Sequence, residues 1–99
     1  MAEDTLRVIA RIKGRQNKVG ELLTVLGSLV EPTRKELGCL SYILLQNNED
    51  PTDFAFVEEW QSNAALESHL ASKHFKDALI TLPNLLAVEP EIRRYHVAS

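Results

Sequence analysis

From Thr5 to Lys13 apolar and polar residues alternate, with Leu6, Val8, Ala10 and Ile12 on one side and Arg7, Ile9, Arg11 and Lys13 on the other. A period of two puts successive side chains on opposite faces of an extended chain, so this stretch predicts a first strand. After the polar break Gly14-Arg15-Gln16 the period changes. Val19, Leu22, Leu23, Leu26, Leu29, Val30 and Thr33 recur at steps of three and four, which predicts one long amphipathic helix with Asn17 as its N-cap. Pro32 removes a backbone donor and crowds the preceding turn, so the helix is expected to bend near its end. Gly38 suits the left-handed residue that closes it.

Cys39 to Gln46 is rich in β-preferring apolar residues and runs into the turn signal Asn47-Asn48-Glu49-Asp50-Pro51; Asp53 to Trp60 then resumes an extended pattern. Ser62 is the next N-cap, opening a helix over 62–71 with Ala65, Leu66, His69 and Leu70 on one side. Lys73 to Ala87 continues at helical spacing through Phe75, Ala78, Leu79, Leu82, Leu85 and Leu86, with a kink expected at Pro83. A last strand is expected from Ile92 to Val97. The order is βαββαβ in one domain over residues 1–99, with the second helical region split in two: an α+β four-stranded antiparallel sheet with helices on one face.

That arrangement leaves the sheet's other face bare, and the pattern does not make that face polar. The middle strands carry apolar residues on both sides: Phe54, Phe56 and Trp60 against Ala55 and Val57, and Leu40, Tyr42 and Leu44 against Ile43 and Leu45. A monomer rarely exposes so much apolar surface, so a homodimer through the sheets is expected.

Composition narrows the classes further. The chain has 99 residues, 44% of them hydrophobic and 25% charged, as in ordinary globular domains. A net charge of −3 disfavours nucleic acid, which is held by neutralising phosphates. Met1 to Arg7 has no basic patch followed by an apolar run, and no window nears the ~20 apolar residues of a membrane span, so a cytoplasmic protein without membrane partners is expected. Cys39 is the single cysteine and is read as a buried, inert thiol.

The polar residues that break the apolar pattern are the candidates for chemistry. Glu58 shares a strand face with two phenylalanines and the tryptophan, so it is expected to be buried, as a tuned acid or base or as half of a structural pair. Glu59, on the opposite face, is expected to be solvated or to bridge the dimer. His69 falls on the apolar side of its helix, and His74 stands at the break between the two helical pieces; a neutral imidazole can accept or donate a proton at pH 7. His96 is expected to be exposed or structural. His69 and His74 lack the spacing of a zinc helix and show no third ligand, so no metal is expected. GxGxxG, P-loop and GxSxG motifs are absent from the sequence.

Several blocks in order carry a resemblance: Glu36 to Tyr42, Asn47 to Phe54, Glu58 to Ser62, Ala65 to Leu70 and Ser72 to Phe75. Together they resemble the antibiotic biosynthesis monooxygenase family, which includes quinol monooxygenases and autoinducer-processing isomerases, over nearly the whole chain. The resemblance implies a ferredoxin-like fold, a homodimer whose two sheets form an α+β barrel, and a pocket between sheet and helices in each subunit. Trp60 and His69 match pocket-lining positions, with Glu58 and His74 beside them. The haem-degrading branch of this fold uses an asparagine on strand one and a tryptophan and histidine in the later helices. Leu6 or Arg7, His69 and Leu79 stand at those places, so haem degradation is not expected.

The resulting expectation is an oxidoreductase: a cofactor-independent monooxygenase that takes a small quinol or phenolic aromatic substrate and O₂. His69, His74 and Glu58 would handle protons, and Trp60, Phe56 and Tyr42 would hold the ring. The alternatives are an isomerase or tautomerase on a small carbonyl compound, using the same histidines without O₂, and a non-enzymatic ligand-binding dimer.

Overall fold

The alternating residues Leu6–Lys13 form strand β1, with Val8, Ala10 and Ile12 buried and their neighbours turned outward. Two further strands, β2 over Cys39–Gln46 and β3 over Asp53–Trp60, pair with each other across the Asn47-to-Thr52 turn. Strand β4, Glu91–Tyr95, closes the order β2-β3-β1-β4, antiparallel throughout. The computed structural model describes residues 5–99, so the first residues of the stretch read for a leader, 1–4, lie outside the described residues.

The first helical region departs from expectation. Asn17 sits inside a single 3-10 turn, Gln16–Lys18, and caps nothing; helix α1, Val19–Ser28, begins without a side-chain cap. A second short helix, α2 over Val30–Arg34, follows a break at Leu29. Pro32 explains the break: it has no N–H for the carbonyl of Ser28 four residues earlier, and its ring crowds that turn. Gly38 does take a left-handed φ of 87°, but it lies beyond α2, in the turn into β2. A Cβ there would meet the Ala65 Cβ at 2.6 Å, so the position needs glycine for space as well as for φ.

The second helical region behaves more nearly as read. Ser62 caps α3 (Asn63–Leu70) by accepting from the Ala65 N–H, and Ser72 caps α4 (Lys73–Thr81) by accepting from the Phe75 N–H. The α-helix stops at Thr81 rather than running to Ala87, because Pro83 falls in a 3-10 turn over Leu82–Asn84. Strand β4 ends at Tyr95, which leaves His96 exposed beyond it. Cys39 is half-buried rather than buried. Burial, assisted by the charges of Glu36 and Glu58, pushes its thiol pKa up and keeps it protonated.

All helices lie on one face of the sheet. Val8, Ala10, Ile12, Tyr42, Phe54, Phe56 and Trp60 from that face enclose a core with Leu22 and Leu26 of α1, Leu29, and Leu66 of α3. Among the described residues none covers the opposite face, where Ile9, Ile43, Leu45, Val57 and Tyr95 are 38–49% exposed. Arg7 pairs with Glu59 there at 3.3 Å, and Arg11 with Asp53 at 3.3 Å.

Candidate functional site

A cavity of about 350 Å³ lies between the sheet and the helices. Strand register builds its floor. Tyr42, Glu58, Val8 and Arg94 stand in one row across the four strands, and Leu44, Phe56, Ala10 and Ile92 stand in the next. Leu26 and Leu29 form one part of the cover, and Leu66, His69 and Phe75 another. The lining residues that remain exposed, Leu79, Pro90, Ile92 and Arg94, mark an opening between α4 and edge strand β4. Among the described residues that line the cavity, the ionisable ones are Tyr42, Glu58, His69 and Arg94.

His69 is placed by α3, where the Ser62 cap and the three-residue step from Leu66 turn both side chains inward. It is 1% exposed. Its ring lies 4.9 Å from that of Trp60, 5.0 Å from Phe75 and 5.5 Å from Tyr42, so aromatic walls hold the imidazole plane. Nδ1 is 2.8 Å from Oε2 of Glu36. An ionised carboxylate only accepts, so Nδ1 carries the hydrogen, and in the neutral ring Nε2 keeps a lone pair. Burial lowers the pKa of His69, against the opposing hydrogen bond and charge of Glu36; the neighbouring His74 lowers it further. The imidazole is therefore neutral at pH 7, with a basic nitrogen available to the cavity.

Glu36 reaches this position from the turn between α2 and β2. Its N–H donates to the Thr33 carbonyl and its own carbonyl accepts from the Cys39 N–H. Arg34 pins the end of α2 to the sheet by donating from Nε to the Tyr42 carbonyl at 3.0 Å. The same Glu36 Oε2 also meets His74 Nε2 at 2.5 Å. His74 Nε2 lies 3.2 Å from Ser72 Oγ, whose hydrogen is already donated to the His69 carbonyl at 2.6 Å. Both neighbours of His74 Nε2 are therefore acceptors, and that nitrogen carries a hydrogen. Glu36 Oε2, His69 Nδ1 and His74 Nε2 lie within 4.8 Å of one another, so Glu36 supplies the third polar atom that the spacing of the histidines does not reveal. As arranged, both imidazoles point a hydrogen at that oxygen, and a cation would have to displace both.

Glu58 sits in the middle of β3 between Val8 and Tyr42 and is 6% exposed. Its Oε1 accepts from the Trp60 indole N–H at 2.9 Å. Burial raises its pKa from 4.5 to about 7; the indole bond opposes the rise and the charge of Glu36 adds to it. Burial also raises the Tyr42 hydroxyl above its ordinary 10, so it stays protonated, and its ring stacks on Phe56 at 4.7 Å.

The candidate residues thus divide. Tyr42, Phe56, Glu58 and His69 line the cavity. Trp60 does not: it is 0% exposed and backs the site by holding Glu58 and flanking His69. His74 lies on the far side of Glu36, partly open to solvent. Two polar residues of the site, Glu36 and Arg94, are not among the sequence candidates. Alternation with Ile92 would have turned Arg94 inward, but no local pattern marks Glu36, which acts through residues more than thirty positions away.

Residues 5–79 match the family described as antibiotic biosynthesis monooxygenase. An uncharacterized protein of Synechocystis sp. is 33% identical over 98 residues, covering 99% of this chain and 67% of the relative. A solved structure from Pseudomonas aeruginosa superposes with a TM-score of 0.93 at 31% identity, covering 100% of this chain and 99% of that one. Another, described as an antibiotic biosynthesis monooxygenase, gives 0.90 at 31% identity over 95% of this chain and 99% of its own.

Proposed function

The chain belongs to the antibiotic biosynthesis monooxygenase family, and we propose that it is a cofactor-independent monooxygenase of a small quinol or other phenol, with His69 as general base. The observation that carries this reading is the neutral His69, held at Nδ1 by Glu36 and lining a largely apolar cavity. A cavity of about 350 Å³ suits a one- or two-ring aromatic molecule. Tyr42 and Phe56 supply the wall against which the ring packs.

In this reading His69 Nε2 removes the phenolic proton, and the imidazolium formed is stabilised by the Glu36 carboxylate at Nδ1. The electron-rich phenolate is then the reductant. One oxygen atom of O₂ bonds to ring carbon, the other leaves as water, and the electrons for both come from the substrate, which ends as the quinone. Glu58, which lines the cavity and has a pKa of about 7, returns a proton as the water departs. His74 has no direct contact with the ring and acts through Glu36. The exposed apolar face of the sheet supports a homodimer, with the Arg7–Glu59 and Arg11–Asp53 pairs of the two central strands on the same face.

Oxygen uptake with catalytic amounts of protein across a panel of quinols tests the reading. Uptake is expected for at least one quinol, with a loss of ~10²-fold or more in His69→Gln. Absence of uptake across the panel refutes it, and anaerobic turnover of an oxygenated carbonyl compound would put the isomerase in its place.

A further inference from the structure

We infer that the occupant of the cavity carries an anionic group, a carboxylate or its equivalent, at the end opposite His69 and Glu58, and that Arg94 binds it and sets this preference. The inference rests on the cavity being the substrate site, and it stands whether the chemistry there is oxygenation or isomerisation.

Strand register separates the polar groups. Arg94 of β4 and Glu58 of β3 both stand opposite Val8 of β1, one on each side. Two inter-strand spacings put their backbones about 10 Å apart. Val8 lies between them, so an aromatic ring over Val8 has one end on the Glu58 side of the cavity and the other on the Arg94 side. A phenolic hydroxyl at His69 therefore directs the far substituent toward Arg94 and the opening.

The guanidinium is available for such a ligand. It donates from NH1 to Asn63 Oδ1 at 3.3 Å and from NH2 to Glu67 Oε2 at 3.0 Å, which among the described residues leaves donors of its fork unused. Its ion partner Glu67 is 61% exposed, so that pair is solvent-screened and its loss costs little. A carboxylate entering the apolar mouth beside Ile92 and Leu79 would be better shielded from water than Glu67 is. Glu58 supports the same orientation, because it offers a ligand carboxylate no cation, whereas the far end does.

Binding distinguishes this from a merely structural Arg94–Glu67 pair. The probes are 4-hydroxybenzoate and the uncharged 4-hydroxybenzamide, titrated calorimetrically against the intact protein at pH 7.5. The wild type is expected to bind the carboxylate about tenfold or more tightly than the amide, the ratio that one charge-assisted hydrogen bond provides. Arg94→Gln should bring the two probes level with the amide affinity unchanged, and Glu67→Gln should keep the preference. Equal affinities in the wild type, a preference that survives Arg94→Gln, or failure of both probes to bind would each overturn the inference. Oxygen uptake is not part of this readout, so failure of the monooxygenase reading would be seen separately.

Discussion

Replacing Glu58 by glutamine keeps the side chain's shape and an oxygen for the Trp60 indole N–H, but removes a charge that the folded protein tolerates poorly. The carboxyl titrates near 4.5 in an open chain and at about 7 when folded. Between those values the folded state binds more protons than the unfolded one, so stability falls as pH rises across that window. At about 1.4 kcal/mol per pH unit, the loss attributable to this group approaches ~3 kcal/mol above pH 7. Glutamine does not titrate and escapes the loss. Glu58→Gln is therefore expected to match the wild type near pH 4.5 and to exceed it by ~2–3 kcal/mol at pH 8.5. Urea denaturation followed by Trp60 fluorescence, at one fixed protein concentration and several pH values, measures the difference. A difference that does not change with pH, or a variant less stable than wild type at pH 8.5, would refute the assignment of Glu58 as a carboxyl raised by burial.

Other substitutions probe the supports of the site and of the fold. Glu36→Ala leaves His69 Nδ1 buried without its acceptor and should cost about 1–3 kcal/mol in urea denaturation, with His74→Ala costing less because that ring is partly solvated. Gly38→Ala forces a left-handed φ on a residue with a Cβ and drives that carbon against Ala65, so a loss of about 2 kcal/mol is expected in thermal denaturation. Ser62→Ala should cost about 1 kcal/mol by removing the cap of α3, with a measurable fall in helical circular dichroism before global unfolding. Val57→Lys places a charge in the middle of the exposed apolar sheet face; light scattering at micromolar concentration should give a two-chain mass for the wild type and a one-chain mass for the variant.

Much of the architecture is written locally. The period-two alternation of β1, the runs ending at the Asn47-to-Pro51 turn, and the serines before α3 and α4 each act through neighbours only a few residues away. Such signals survive in a linear reading, and Glu58 and His69 stood out for the same reason, as polar residues inside apolar periods. The break at Leu29 and the early end of α4 were harder to place, because a proline disturbs the turn before it by an amount that packing decides.

The chemistry of the site is decided at a distance. Glu36 meets His69 and His74 only because α2, β2 and the α3–α4 junction converge, across separations of 33 and 38 residues. Trp60 was readable as an aromatic of the site, but its backing position behind Glu58 depends on how the helices close over β3. Arg94 reaches the cavity through the pairing of β4 with β1. Periodicity determines which face a residue takes because it is a property of one segment's backbone. Which faces meet, and so which proton acceptor sits against which imidazole, is set by the packing of segments far apart in the chain, and only the folded molecule decides it.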